Sequence, residues 1–476
     1  MKSTILIPLF FVCFSVSAQE HVQPWLTGYI NKAEAKNLKV HGKKEGKWIE
    51  YRDSTYDETT DTNAPYYVLI NYHAGKYTDT VHEYYKSGKP YSIETYTNGN
   101  QNGVLKEYYE DGALMDEYPY VDDKLNGSVK EYYENGQLKS EHPYVNDKQE
   151  GVAKEYYESG KLKTEWPYTN DEINGTGKEY FESGTLQSES PYTNGEENGI
   201  SNEYYENGKF KYITPYANDE KEGLEKGYYD DGKLEWEIPW TKGERVGIEK
   251  EYYENGKVET IWPYKKERLD GVKLTYFENG KLQWEEPYVD SVENGTEKEY
   301  YENGKPKWIT NYANGKKNGK ETGYYENGKV HWENNYIDDK KDGLAKGYFE
   351  DGKLMGEYPY DHGDRNGVVK KYYESGALKR MYPFMGDKKN GTEIEYYESG
   401  KVEEEVPYTH DTIMGQYKRY FENGKITTEI HYINGKMDGD VKWYREDGTL
   451  KQALHYQNGV MTGGVTNYDE SGNEIK

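Results

Sequence analysis

The sequence predicts an all-β protein, an elongated array of about 17 or 18 tandem 24-residue β-hairpin repeats forming an open meander or solenoid-like rod. Three observations predict it. Glycines stand at Gly88, Gly112, Gly136, Gly160 and onward to Gly472, every step 24 residues, with no insertion or deletion. A fixed period in this range is the mark of a repeat array. The residue before each of these glycines is Asn, Asp or Ser, a pair that suits a two-residue hairpin turn with positive φ angles. The flanks are rich in tyrosine, 55 against 9 phenylalanines, and such flanks favour strands.

The repeat around Gly160 shows how each element follows. Ala153 to Glu158 form the first strand and Lys161 to Tyr168 the second. A two-residue turn at Ser159-Gly160 sets Glu158 opposite Lys161, Tyr157 opposite Leu162, Glu155 opposite Thr164 and Lys154 opposite Glu165. The Lys/Glu pair recurs in the same register as Lys106–Glu117, Lys226–Glu237 and Lys346–Glu357, each worth roughly 0.2–1 kcal/mol. Pro167 cannot donate to a ladder, so it belongs near a strand end. Tyr168 follows, then a polar loop, Thr169 to Gly175, joins the hairpin to the next.

Along the chain, residues 1–18 read as a signal peptide. Lys2 precedes the apolar run Ile5 to Phe14, and Ser15-Val16-Ser17-Ala18 is a small-residue cleavage site. Cleavage near Ala18 implies a secreted, periplasmic or cell-surface protein. The apolar run is too short for a membrane span and no later stretch resembles one, so no integral membrane span is expected. Residues 19–45 are an irregular lead-in. Residues 46–78 form a divergent capping repeat, with strands at Gly46–Tyr51 and Tyr66–Tyr72 around an insertion from Tyr56 to Ala64. The regular array runs from 79 to 476.

The composition is thin in aliphatics and strongly acidic: 34% hydrophobic residues, mean hydropathy −1.17 and a formal charge of −26. Tyrosine suits a thin layer, because its ring packs while its hydroxyl stays polar. The negative charge disfavours nucleic acid as a partner. Cys13 is the one cysteine, so the cleaved chain can form no disulfide. Ten scattered histidines, with no H-E-x-x-H and no G-x-S-x-G, give no catalytic residues, no metal set and no cofactor site, and the chain reads as non-enzymatic. The loops Val121-Asp122-Asp123-Lys124, Ala217-Asn218-Asp219-Glu220 and Ile337-Asp338-Asp339-Lys340 offer oxygens to calcium. They lack an EF-hand or nonapeptide spacing, and turn chemistry explains the same residues.

One region departs from the repeat average. The position four after the pivot glycine is small or polar at Ser140, Thr164 and Ser188, but becomes Tyr212, Trp236, Trp284, Trp308 and Trp332 in the middle of the chain. Trp262 adds an indole two positions beyond Thr260, on the same strand face. Trp236 and Trp332 fall opposite Gly227 and Gly323, where a large ring covers bare backbone. This candidate aromatic stripe has three readings: packing within the sheet, a surface for a protein partner, or stacking on a glycan.

The stretches Gly295-Thr296-Glu297-Lys298-Glu299-Tyr300-Tyr301-Glu302-Asn303-Gly304-Lys305 and Tyr312-Ala313-Asn314-Gly315-Lys316-Lys317-Asn318-Gly319 resemble the MORN-repeat variant, known from bacterial proteins of the YwqK antitoxin type. The resemblance covers roughly residues 42–476. It implies an array of β-hairpins acting as a protein-interaction or scaffolding module with an unidentified protein partner. Glycan or cell-wall binding through the stripe, and immunity to a toxin, are the alternatives it leaves.

Overall fold

A computed structural model describes residues Gly28–Ile475. The predicted signal peptide and the first part of the lead-in lie outside the described residues. The described chain is all-β apart from one three-residue 3-10 turn at Lys32–Glu34. It forms two compact units, one ending at Glu220 and the other beginning at Lys221.

The first unit starts with its densest packing. Leu38–Val40 pairs with the start of Lys43–Arg52, and Tyr66–His73 pairs antiparallel with both Lys43–Arg52 and Lys76–Tyr85. The central strand is apolar on both faces. Val68, Ile70 and Tyr72 pack with Trp48 and Val81 on one side, while Leu69 packs with Tyr29 and Tyr84 on the other. The insertion forms the tip between the strands, and its Glu58–Thr59 pairs back onto Tyr51 and Arg52. The aliphatic run Val68-Leu69-Ile70 is fully buried here.

Beyond this start, both units repeat one plan. In the repeat around Gly160, Gly151–Tyr156 pairs with Leu162–Thr169. Lys154 opposes Glu165 and Glu155 opposes Thr164, as the sequence predicts. The turn differs from the expected two-residue form. Tyr157 N–H donates to Lys161 O (2.8 Å) and Gly160 N–H donates to Tyr157 O (2.7 Å), which encloses three residues. Only Gly160 takes a positive φ (+80°), and the pairing shifts so that Tyr156, not Tyr157, opposes Leu162. This is a turn closed by a glycine bulge. The preceding Asn or Asp has another duty: its side-chain oxygen caps the turn, as Asn135 Oδ1 accepts from Gln137 N–H (2.8 Å).

The two-residue turn sits at the opposite end of the hairpin. Asn170 and Asp171 both have positive φ (51° and 73°), between Thr169 and Glu172. A third strand of two residues, Glu172–Ile173, follows. The chain then swings into Gly175–Tyr180, which pairs with the previous return strand only at Thr164↔Glu179 and Glu165↔Lys178. The irregularity between these pairings falls at Pro167, which has no N–H to give; its carbonyl accepts from Asn174 N–H (2.9 Å). Gly175 (φ +122°) sits against the proline ring, where an added Cβ would lie 3.0 Å from Cγ. The proline and the loop glycine are therefore one device.

Successive hairpins share few backbone bonds, and side chains supply the rest. Tyr157 donates its hydroxyl to Tyr180 O (2.7 Å) in the next repeat, and Tyr180 donates its own back to Glu165 Oε2 (3.0 Å). The first bond recurs at Tyr109, Tyr253, Tyr301 and Tyr397. The second recurs at Tyr132, Tyr252, Tyr348 and Tyr444. This accounts for the excess of tyrosine over phenylalanine: the ring packs and the hydroxyl ties repeat to repeat. A second tie joins the turns. Asp171 N–H donates to Gln149 O (3.1 Å), and its Oδ1 accepts from Gln149 N–H (2.7 Å).

The tyrosine ladder has a pH signature. Burial, then the hydrogen bond to Glu165, pushes the Tyr180 phenol up to about 12. Tyr132, Tyr204, Tyr252, Tyr420 and Tyr444 are pushed to about 12 for the same reasons. A phenol raised above its ordinary value near 10 contributes stability that is fully present below about pH 10 and lost as the pH rises through about 12. Thermal melting should hold steady up to about pH 10 and fall between about 10 and 12, with tyrosinate absorbance rising alongside. Loss of the fold well before the phenols ionise would count against the ladder.

Candidate binding surface

Strand alternation places the large side chains four after each pivot glycine in one row across the sheet. In the second unit the paired residues run Trp236, Glu251, Thr260, Thr275, Trp284, Glu299, Trp308, Gly323, Trp332, Gly347, Gly356. Trp284 and Trp308 meet edge to face, centroids 5.6 Å apart at 76°. Between them lies Glu299, buried and paired with Lys307 (2.8 Å). Trp332 lies over Gly323, and Trp236 over Gly227, as the sequence register implies. A Cβ on either glycine would fall inside the indole. All of these indoles are half-buried.

The structure thus brings together Trp284, Trp308 and Trp332. It does not bring Trp236 to them, because Glu251, Thr260 and Thr275 intervene in the row. Trp262 stands in the neighbouring row opposite Glu249, with Lys273 Nζ 4.3 Å from its ring centre and its indole N–H buried without a described hydrogen-bond partner. Tyr212 belongs to the first unit, opposite Glu203, with Lys211 Nζ 4.8 Å from its ring centre.

The adjacent row carries charge into the sheet. Glu225, Glu249, Glu321 and Glu393 are all buried. Each meets a cation four residues earlier: Lys221 (2.7 Å), Arg245 (3.4 Å), Lys317 (2.5 Å) and Lys389 (2.5 Å). Burial, only partly offset by Arg245, pushes the Glu249 carboxyl up. On the other face, Lys320 holds Glu333 below the usual carboxylate range, against the smaller opposing effect of burial.

The sequence reading misses a recess of about 370 Å³ at the end of the tryptophan row, walled by Trp332, Tyr358 and Tyr360 above Ala345 and Gly347. Its signal is a departure from the repeats just before it: Gly356 stands where Trp284, Trp308 and Trp332 stand, and Ala345 where Glu297 and Glu321 stand. The loop carboxylates considered for calcium serve the turns. Asp123 accepts from Gln101 N–H (2.6 Å), Asp219 from Glu197 N–H (2.7 Å) and Asp339 from Lys317 N–H (2.8 Å).

A family profile described as the MORN repeat variant matches fifteen consecutive segments, from residues 101–122 through 245–266 and 341–362 to 437–458. The chain belongs to the MORN repeat variant family. A search of curated proteins finds none that matches this MORN-repeat chain. Among solved structures it is similar to the TcdB2–TccC3 crystal structure, at 11% identity over 89% of this chain and 29% of that one, with a TM-score of 0.14. A TcdB2–TccC3–TEV crystal structure gives 12% identity, 90% and 25% coverage and a TM-score of 0.14. The Photorhabdus luminescens Tc holotoxin pore carrying TccC3-D651A gives 10%, 90%, 31% and 0.13. The MORN-repeat chain spans less than a third of the length of these chains, and likeness at this TM-score carries no argument.

Proposed function

We propose that this MORN-repeat chain is an exported, non-enzymatic binding protein that holds a protein partner on its repeat lattice. The observation that carries the reading is the contiguous row of Trp284, Trp308 and Trp332. These are half-buried rings set on strands, so their faces are presented with little conformational freedom left to lose. Aromatic residues of this kind are enriched at interface cores and at the few positions that dominate binding energy. The apolar run before Ala18 supports export to the cell envelope or beyond.

The test is capture from envelope extract by the chain lacking residues 1–18, beside a Trp284→Ala/Trp308→Ala variant checked for unchanged melting. A defined protein retained by the unaltered chain and lost at least tenfold in the variant is expected. Equal retention by both would place the partner's surface elsewhere. Retention of polysaccharide instead, lost in the variant, would favour glycan stacking on the same row.

A further inference from the structure

The recess beside Trp332 carries chemistry that the tryptophan row does not. In four repeats the second residue after the two-residue turn is a cation, and the residue four positions on is a buried glutamate that neutralises it: Lys221–Glu225, Arg245–Glu249, Lys317–Glu321 and Lys389–Glu393. At Lys341 the cation is kept, but the fourth residue on is Ala345. The ammonium has no described ion pair. Its Nζ lies 5.3 Å from the centre of the Tyr360 ring, at the edge of the recess. The adjacent Asp342 accepts the His362 backbone N–H (3.1 Å) in the neighbouring turn.

Ala345 also helps to open the space. It gives the recess a short side chain where Glu321 and Glu393 fill the equivalent place in other repeats, beside Gly347, which the Met355 methyl covers. The aromatic side chains of Trp332, Tyr358 and Tyr360 line it, together with Asn334 and Lys341. Aromatic faces combined with several hydrogen-bonding groups suit a polar ring with C–H faces better than an aliphatic side chain. The uncompensated lysine adds a preference for an anion. The surrounding sequence leans the same way: residues 303–390 hold seventeen Lys and Arg against thirteen Asp and Glu, in a chain of net charge −26.

The geometry points to a binding site for a hexuronate ring, stacked on the aromatic walls with its carboxylate on Lys341. This goes beyond the protein partner proposed above and does not depend on it. Neither Trp284 nor Trp308 lines the recess, so the two readings can fail separately.

The test is calorimetric titration of the full chain with glucuronate, with glucose and acetate as the neutral and ringless comparisons. Two variants accompany it. Lys341→Gln removes the cation. Ala345→Glu restores the ion pair that the preceding repeat makes as Lys317–Glu321 and fills the floor, so the fold is expected to survive it. Glucuronate should bind at least tenfold more tightly than either comparison, and each variant should lose at least tenfold while melting as the unaltered chain does. No saturable heat with glucuronate up to about 10 mM would overturn the site. So would equal binding of glucose, equal binding of acetate, or undiminished glucuronate binding by a folded Ala345→Glu chain.

Discussion

Gly323→Ala is expected to destabilise the second unit by about 2–3 kcal/mol, more than most single additions of a methyl group to a sheet surface. Gly323 has no positive φ, so backbone strain is not the cause. The cause is Trp332, whose indole lies flat on the glycine where the new Cβ must go. The ring cannot slide freely, because Trp308 borders Gly323 from the other side of the row. The methyl must therefore lift Trp332 or push the two strands apart. A matched comparison is Gly376→Ala, where nothing lies within 4 Å of the added carbon and only the φ of +91° is unfavourable. That change should cost about 1–2 kcal/mol. The decisive measurement is a double-mutant cycle in denaturant. Trp332→Ala should remove most of the penalty of Gly323→Ala, a coupling of about 2 kcal/mol. Additive single effects would mean that the indole does not rest on the glycine.

Glu83→Gln is expected to stabilise the first unit above neutral pH and to leave it unchanged in acid. Glu83 lies opposite Ser92 in the strand pair that borders the aliphatic packing, and accepts the Ser92 hydroxyl (3.0 Å). Burial, then the nearby Glu94 carboxylate, pushes it up to about 7 from an ordinary value near 4.5. The sign follows from the raised value. The group's contribution is fully present below about pH 4.5, where it is protonated in both states. It is lost as the pH rises to about 7, because the unfolded chain ionises first. A rise of that size corresponds to roughly 3 kcal/mol at higher pH. Glutamine keeps the shape and the hydrogen bond without the charge. The variant should melt roughly 5–10 °C above the unaltered chain near pH 8 and within error of it near pH 4. Equal gains at both values would assign the effect to packing, and no gain at the higher value would mean that Glu83 is well solvated.

Much of this protein was written in its sequence. The 24-residue period, the antiparallel hairpins and the pairing of Lys154 with Glu165 or Trp236 with Gly227 follow from turn residues and strand alternation, which are local properties. The turn class was not legible, because Ser159-Gly160 suits both a two-residue turn and a glycine-bulge turn. The choice depends on which residues take positive φ, and Asn170-Asp171 took that role at the other end of the hairpin. Nor could composition show that tyrosine hydroxyls join the repeats, since Tyr157 and Tyr180 are 23 residues apart.

The aromatic stripe divides in the same way. Its residues were found by their position in the repeat, but only the pairing between hairpins decided that Trp284, Trp308 and Trp332 are contiguous while Trp236 is cut off. That pairing is interrupted beside each proline, and the strand that follows restarts two residues out of step. The recess at Lys341 needed the tertiary structure for a related reason. A lysine and an alanine four positions apart are unremarkable in a chain, and become informative once the sheet shows that a buried glutamate fills that place in other repeats. Local chemistry determined the hairpin; packing of one hairpin on the next determined the surface that it presents.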